Sequence, residues 1–186
     1  MVAIQIDPKQ MKRLTAALGN IKDGVPRALT AAVNRALASG KTTVKREIRK
    51  KYLIKAKDIP IAVMKATFGK PEGHIILRQG MLALSEFRFS PKSIRSKRPL
   101  YAQVKKGGGG FIRTGFVAQM ESGHIAPFRR VGAARLPIQH LVTIGAPIMA
   151  TQPDVGPAVN KAMGDTLAKR IDHEITRVLE RSRGKY

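Results

Sequence analysis

Few residues in this chain have the types and spacing that chemistry needs, and most of those lack the right neighbours. Gly40-Lys41-Thr42 repeats the end of a P-loop, where backbone amides and a lysine cradle nucleotide phosphates. The first glycine position of that motif holds Arg35, and the string lies inside a helical hydrophobic pattern instead of after a strand, so nucleotide binding is not expected there. The glycine run Gly107 to Gly110 has no following Lys-Ser/Thr and no helix N-terminus to supply a dipole, and it reads as a flexible tip. Ser122, Gly123 and His124 place a hydroxyl near an imidazole without the strand-turn-helix context of a nucleophile elbow; they read as a turn or as part of an interface. His74, His124, His140 and His173 fit no short metal-ligand spacing, and the acids are dispersed, with no local pair for acid-base work. Cysteine is absent, which removes disulfides, cysteine zinc sites and thiol nucleophiles together. Neither catalysis nor a cofactor is expected.

Charge carries the functional information instead. The 186 residues hold 35 Lys and Arg against 12 Asp and Glu, a formal net charge of +23. Such an excess calls for nucleic acid, an acidic protein surface or an anionic membrane face. Its densest parts are Lys45, Arg46, Arg49 and Lys50 around the single acid Glu47; Lys92, Arg95, Lys97 and Arg98 between Ser90 and Pro99; Lys105 and Lys106 ahead of the glycines; and Arg129, Arg130 and Arg135. The first set is either a solvated helix face or a docking edge. The three arginines could pair with acids of a neighbouring subunit, bind phosphate or solubilise strand ends, the first being preferred. Aromatics are only 5% with no Trp, which leaves little for stacking on unpaired bases, so DNA would be held through its phosphates without sequence reading.

These residues need a framework, and the composition supplies one: 43% hydrophobic residues suit a globular core, and the length suits a single domain over 1–186. The opening residues lack a basic and apolar leader, so a cytoplasmic start is expected, and no apolar run approaches the ~20 residues of a membrane span. Val2 to Ile6 reads as a strand, and Pro8 to Leu18 as a short helix ended by Gly19. Leu29, Val33, Leu37, Val44, Ile48 and Tyr52 predict a long helix from about Pro26 to Tyr52, with Gly40 as a place to bend. A short helix capped by Asp58 is expected next, with Ile61, Met64 and Phe68 facing inward, closing a helical part over 1–68.

The region 69–152 reads as strands at His74–Leu77, Leu82–Phe89, Tyr101–Val104, Phe111–Gln119 and Pro137–Ile144, separated by the basic and glycine-rich loops. Phe111, Ile112, Leu136 and Ile138 are expected in its core. Val159, Met163, Leu167, Ile171 and Ile175 recur every four residues and predict a C-terminal amphipathic helix over 153–186. The fold class is therefore α+β: a long N-terminal helix, a mainly antiparallel sheet or partly rolled barrel, and a C-terminal helix packed on it.

From Phe111-Ile112 through Ser122-Gly123-His124, Phe128-Arg129 and Arg135-Leu136-Pro137-Ile138 to Leu141 and Pro147, the chain resembles tailed-phage minor tail protein Z and related tail-completion proteins. Val25-Pro26 to Val33-Asn34-Arg35 is similar to that family's opening helix, so the resemblance spans about residues 20–180. It implies a non-enzymatic virion protein, made in the bacterial host cytoplasm and placed at the head-proximal end of the tail. There it would complete the tail and help join it to the head. It further implies a hexameric ring, tail tube, terminator or neck proteins as neighbours, and double-stranded DNA passing through the lumen. No membrane partner is implied. The alternative from charge alone is a sequence-independent nucleic-acid-binding protein.

Overall fold

A computed structural model describes residues 2–3, 7–78 and 80–183. The chain divides into two compact units, one of residues 1–44, 61–77 and 152–186 and one of residues 45–60 and 78–151, so the long N-terminal helix belongs to one up to Val44 and to the other from Lys45.

The first unit takes its strength from helices. Asp7 accepts a hydrogen bond from the Lys9 amide and caps α1 (Pro8–Leu18), whose Pro8 needs no partner for a missing N–H. Helix α2 (Gly24–Lys51) runs through Gly40 without interruption. Ala28, Ala32 and Ala36 are as buried as Leu29, Val33 and Leu37, so its inward stripe is wider than the large aliphatics alone suggest. Helix α4 (Val155–Arg183) buries Val159, Met163, Leu167 and Ile171 and packs along α1. A Cβ on Gly40 would stand 2.6 Å from Met163 Sδ and 2.7 Å from Ile75 Cδ1, so this glycine lets α2 pack closely at that point.

Three antiparallel strands complete this unit in the order β1 (Val2–Ala3), β3 (His74–Leu77), β2 (Ile61–Met64). The expected strand at Val2 to Ile6 is seen for its first two residues, and residues 4–6 lie outside the described ones. The helix expected after Asp58 is instead β2, paired from Ile61↔Leu77 to Met64↔His74. Three apolar residues at steps of three and four suit a helix, but β-branched Ile61 and Val63 find backbone partners in β3, and tertiary pairing overrides the pattern. Met64 and Phe68 accordingly lie 54% and 51% exposed instead of inward.

The second unit is built from short strands in three antiparallel sheets, none of them a closed barrel. The expected strand over 82–89 is broken into β4 (Leu82–Ala83), a 3-10 turn (Leu84–Glu86) and β5 (Arg88–Ser90). That turn resets the register, which is why Leu84, Phe87 and Phe89 are all buried despite their imperfect alternation. Next come β6 (Leu100–Gln103) and β7 (Gly110–Ile112), forming the meander β5-β6-β7. The expected strand over 111–119 turns at Arg113-Thr114, and its second half is β8 (Gly115–Gln119).

Strand β9 (Ile125–Arg130) escaped the sequence pattern because Pro127 interrupts it, yet it is the middle strand of β10-β9-β8. Strand β10 (Ile138–His140) pairs only with Phe128 to Arg130, so Pro127 lies just past the part of β9 that it covers. Strand β11 (Val142–Thr143) leaves that sheet and pairs with β4, and a short helix α3 (Ala146–Ala150) follows. The core gathers Leu84, Phe89, Leu100 and Ala102, with Ile112, Val117 and Leu141 against it. Phe111 and Leu136, expected inside, are 68% and 66% exposed: Phe111 neighbours Ile112, which packs inward, and strand alternation turns it outward, while Leu136 lies in the exposed connector before β10.

Candidate functional site

The cations singled out by sequence all lie in the second unit, and the fold separates most of them into two groups. The meander is antiparallel, so its two connectors, 91–99 and 104–109, leave from opposite ends of β6.

The first group surrounds the end of α2. Lys45 Nζ donates to the Ala56 carbonyl at 2.6 Å, fixing the chain as it leaves the helix. The Glu47 carboxylate, only 7% exposed, accepts from Lys50 Nζ at 2.6 Å and from Arg46 Nε at 3.2 Å. The Lys50 hydrogen bond holds Glu47 below its ordinary pKa, burial works against it, and Arg46 adds to the lowering. One carboxylate thus meets two cations and leaves net positive charge, while Arg49 is exposed beside them. Lys105 and Lys106 join this end of the helix: the Lys106 amide donates to the Lys51 carbonyl at 2.8 Å, and Lys105 Nζ stands 5.9 Å from the Tyr52 ring. Two of the four glycines that follow have set tasks. Gly107 adopts φ +77°, and a Cβ on Gly109 would collide with the Tyr101 hydroxyl.

Lys92 stands 3.2 Å over the Phe89 ring, and burial, then nearby Lys55, push its ammonium below the usual pKa.

The second group lines a cleft of about 430 Å³ between the 91–99 connector, the start of β8 and the end of β9. Lys97, Arg98 and Arg130 contribute charge, Ser93 and Ser96 hydroxyls, and Ile94 and Phe116 apolar surface; no carboxylate lines it. The two serines shape the connector by accepting from the Arg95 and Arg98 amides, each at 3.3 Å. Arg130 lies 5.4 Å over Phe116 and donates to the Arg135 carbonyl at 2.8 Å, so its guanidinium is held at the cleft. Arg129 is clamped by two hydrogen bonds to Gln139 Oε1, at 3.4 and 3.1 Å, on the opposite pleat. Arg95 and Arg135 are exposed on the flanking connectors.

Ser122, Gly123 and His124 form the tip of the β8–β9 hairpin. Gly123 adopts φ +79° and its amide donates to the Met120 carbonyl at 2.8 Å, while the Met120 amide donates to the His124 carbonyl at 2.9 Å. Gly115 pairs with Arg129 and Gln119 with Ile125, so this tip and the cationic cleft occupy opposite ends of one hairpin. His124 and His140 rings lie 6.5 Å apart, and among the described residues no group of three or more His, Asp or Glu could hold a metal ion. No helix among the described residues is long and apolar enough to cross a membrane.

Sequence reasoning passed over the pairing of Glu86 with Asp58. Glu86, with Oε2 buried and without a hydrogen-bond partner among the described residues, is raised in pKa chiefly by burial and then by Asp58. Acids 28 residues apart carry no local signal of such a pairing.

No curated protein and no solved structure matches the chain. The sequence model of prophage minor tail protein Z matches residues 9–183, which takes in both units, the cationic cleft and the hairpin tip. The chain belongs to the prophage minor tail protein Z family and is a structural component of a bacteriophage tail.

Proposed function

We propose that this protein completes the tail at its head-proximal end, as a ring of identical subunits through which the genome passes, and that it works without catalysis. The observation that carries this reading is the family match over nearly the whole chain, taken with a charge of +23 whose self-repulsion an assembly of several copies must offset. Stacking several such subunits around a lumen multiplies mutual repulsion, so the ring needs acidic neighbours or DNA phosphate to offset it. Acidic surfaces of tube, terminator or neck proteins, and the phosphates of double-stranded DNA, supply that offset. Separation of the cations into two groups supports a division of labour. The group at the end of α2 with Lys105 and Lys106 is exposed beside a glycine-built tip and suits a passing polyanion, touched without base reading. The cleft around Arg130 is concave and suits a protein contact.

Cryo-electron microscopy of purified virions tests the proposal. A ring of this chain at the head-proximal end, with Lys105 and Lys106 towards the lumen, is the expected result. A position at the distal tip would overturn the placement. Absence from virions, with tight binding of the isolated chain to any duplex, would replace it by a sequence-independent nucleic-acid-binding protein.

A further inference from the structure

The region from Arg78 to Thr151 contains only two acids, Glu86 and Glu121. Glu86 is half-buried as the last residue of the 3-10 turn, whereas Glu121 is exposed at the β8–β9 hairpin tip. That tip also exposes Met120 (41%) and Ile125 (36%), so one protrusion presents a carboxylate between two apolar side chains. At the other end of the same hairpin lies the cleft whose wall combines Lys97, Arg98 and Arg130 with Ile94 and Phe116 and has no carboxylate of its own.

We propose that the Glu121 tip of one subunit enters the Arg98–Arg130 cleft of the next, making a head-to-tail contact between copies of this chain; the inference rests on the ring reading above and names the residues that would close it. Complementarity exists in both charge and polarity. A guanidinium pair accepts a carboxylate in fixed geometry, and Ile94 and Phe116 accept Met120 and Ile125. Duplex DNA would bring phosphate but nothing apolar, and it presents its charge on a broad convex rod instead of a narrow turn. The hairpin's five paired positions separate donor and acceptor ends by ~14 Å, four steps of ~3.4 Å, so one subunit cannot satisfy its own cleft with this tip. Complementary patches at opposite ends of a rigid element give a heterologous contact, and such a contact generates a ring when its rotation closes.

The chain's lack of cysteine makes the test direct. A Glu121→Cys, Ser96→Cys double variant, assembled into tails and oxidised, should give a ladder of covalent multiples on a non-reducing gel, while each single variant gives none. Glu121→Lys should lower infectious titre at least a hundredfold, and adding Arg98→Glu should restore at least tenfold of that loss. Glu121 is exposed in a turn, so its variants fold, which circular dichroism of the purified chain verifies. A ring seen by microscopy without the ladder, together with normal titre for Glu121→Lys, overturns the contact and leaves the ring. A single copy per tail overturns both. Density for a different protein's acidic segment, or for phosphate, in the cleft overturns a second copy as its occupant.

Discussion

At the scale of single residues, glycine and glutamate show how neighbours decide what a position tolerates. Gly40 and Gly73 both face crowded space, but the crowd differs. Ala at 40 would press only on side-chain atoms, Met163 Sδ and Cγ and Ile75 Cδ1, which can shift by small rotations, and gains helix propensity of ~1 kcal/mol. Ala at 73 would press on Leu37 and also on the Met64 carbonyl at 2.8 Å, which is backbone in a paired strand and cannot yield. Gly73→Ala is therefore expected to destabilise by about 2 kcal/mol and Gly40→Ala by about 1 kcal/mol or less. Thermal melting should rank them in that order, at about 2–4 °C per kcal/mol for a chain of this size.

Two glutamates of the second unit should respond to pH in opposite directions. Glu47 has a folded pKa below its ordinary value, so its contribution is present above the unfolded pKa and is lost as pH falls through the folded one. Glu86 has a raised folded pKa, so the native state holds a proton that the unfolded chain gives up, and stability falls as pH rises above the ordinary value of 4.5. Glu47→Gln should therefore lower Tm at pH 7 and matter less towards acid. Glu86→Gln should raise Tm at pH 7, with the gain vanishing below about 4.5. Melting curves of both variants across pH 3–8 check the signs, and parallel slopes would refute the assignment.

At the scale of elements, α1, α2 and α4 were legible, short α3 was not, and the strands were only partly so. The four-residue recurrence of Val159 to Ile171 marks α4 because a helix buries a stripe whatever packs on it. A strand's identity depends on partners distant in sequence, and short strands carry little pattern of their own. Ile61 to Met64 read as helical until β3 paired with it, and Ile125 to Arg130 was hidden by Pro127. The cations of the candidate site were legible by type, but their separation into two groups follows from the meander's alternate connectors, which no local spacing encodes.

The segment after β2 is held by a device of similar subtlety. Asn34 on α2 donates Nδ2–H to the Ala66 carbonyl at 3.0 Å and accepts from the Ala66 amide at 2.9 Å, acting as a strand edge, while Thr30 donates to the Thr67 carbonyl. Asn34→Ala leaves both Ala66 groups without these partners next to a buried Cβ and should cost about 2–3 kcal/mol. Asn34→Asp keeps the acceptor but sets a carboxylate against the Ala66 carbonyl, so it should not rescue the loss. Denaturant melts of the two variants, with hydrogen exchange at the Ala66 amide, measure this tether.

At the scale of the whole molecule, charge sets the terms on which the fold exists. Ion pairs such as those of Glu47 and Glu174 do little to balance an excess of +23, and the pair between Arg13 and Asp172 is exposed enough to contribute little. Net repulsion between cations then exceeds the attraction that salt could screen, so added salt should stabilise the isolated chain. Raising ionic strength from ~0.05 to ~0.5 M shortens the Debye length from roughly 14 to 4 Å, and Tm should rise across that range. Binding to duplex DNA should move the other way, weakening linearly in log-log coordinates as counterion release loses its drive. The two cationic groups part company in this measurement. Lys105→Ala with Lys106→Ala should reduce the salt slope by about 2, because each removed phosphate contact lowers it by about 1, and should do so equally on every sequence. Lys97→Ala with Arg98→Ala should leave the slope nearly unchanged, because a concave cleft shaped for a hairpin tip does not follow a duplex. Equal losses from both pairs would mean that the cations act as one diffuse field, and the division between a DNA-facing end and a subunit-facing end would fall.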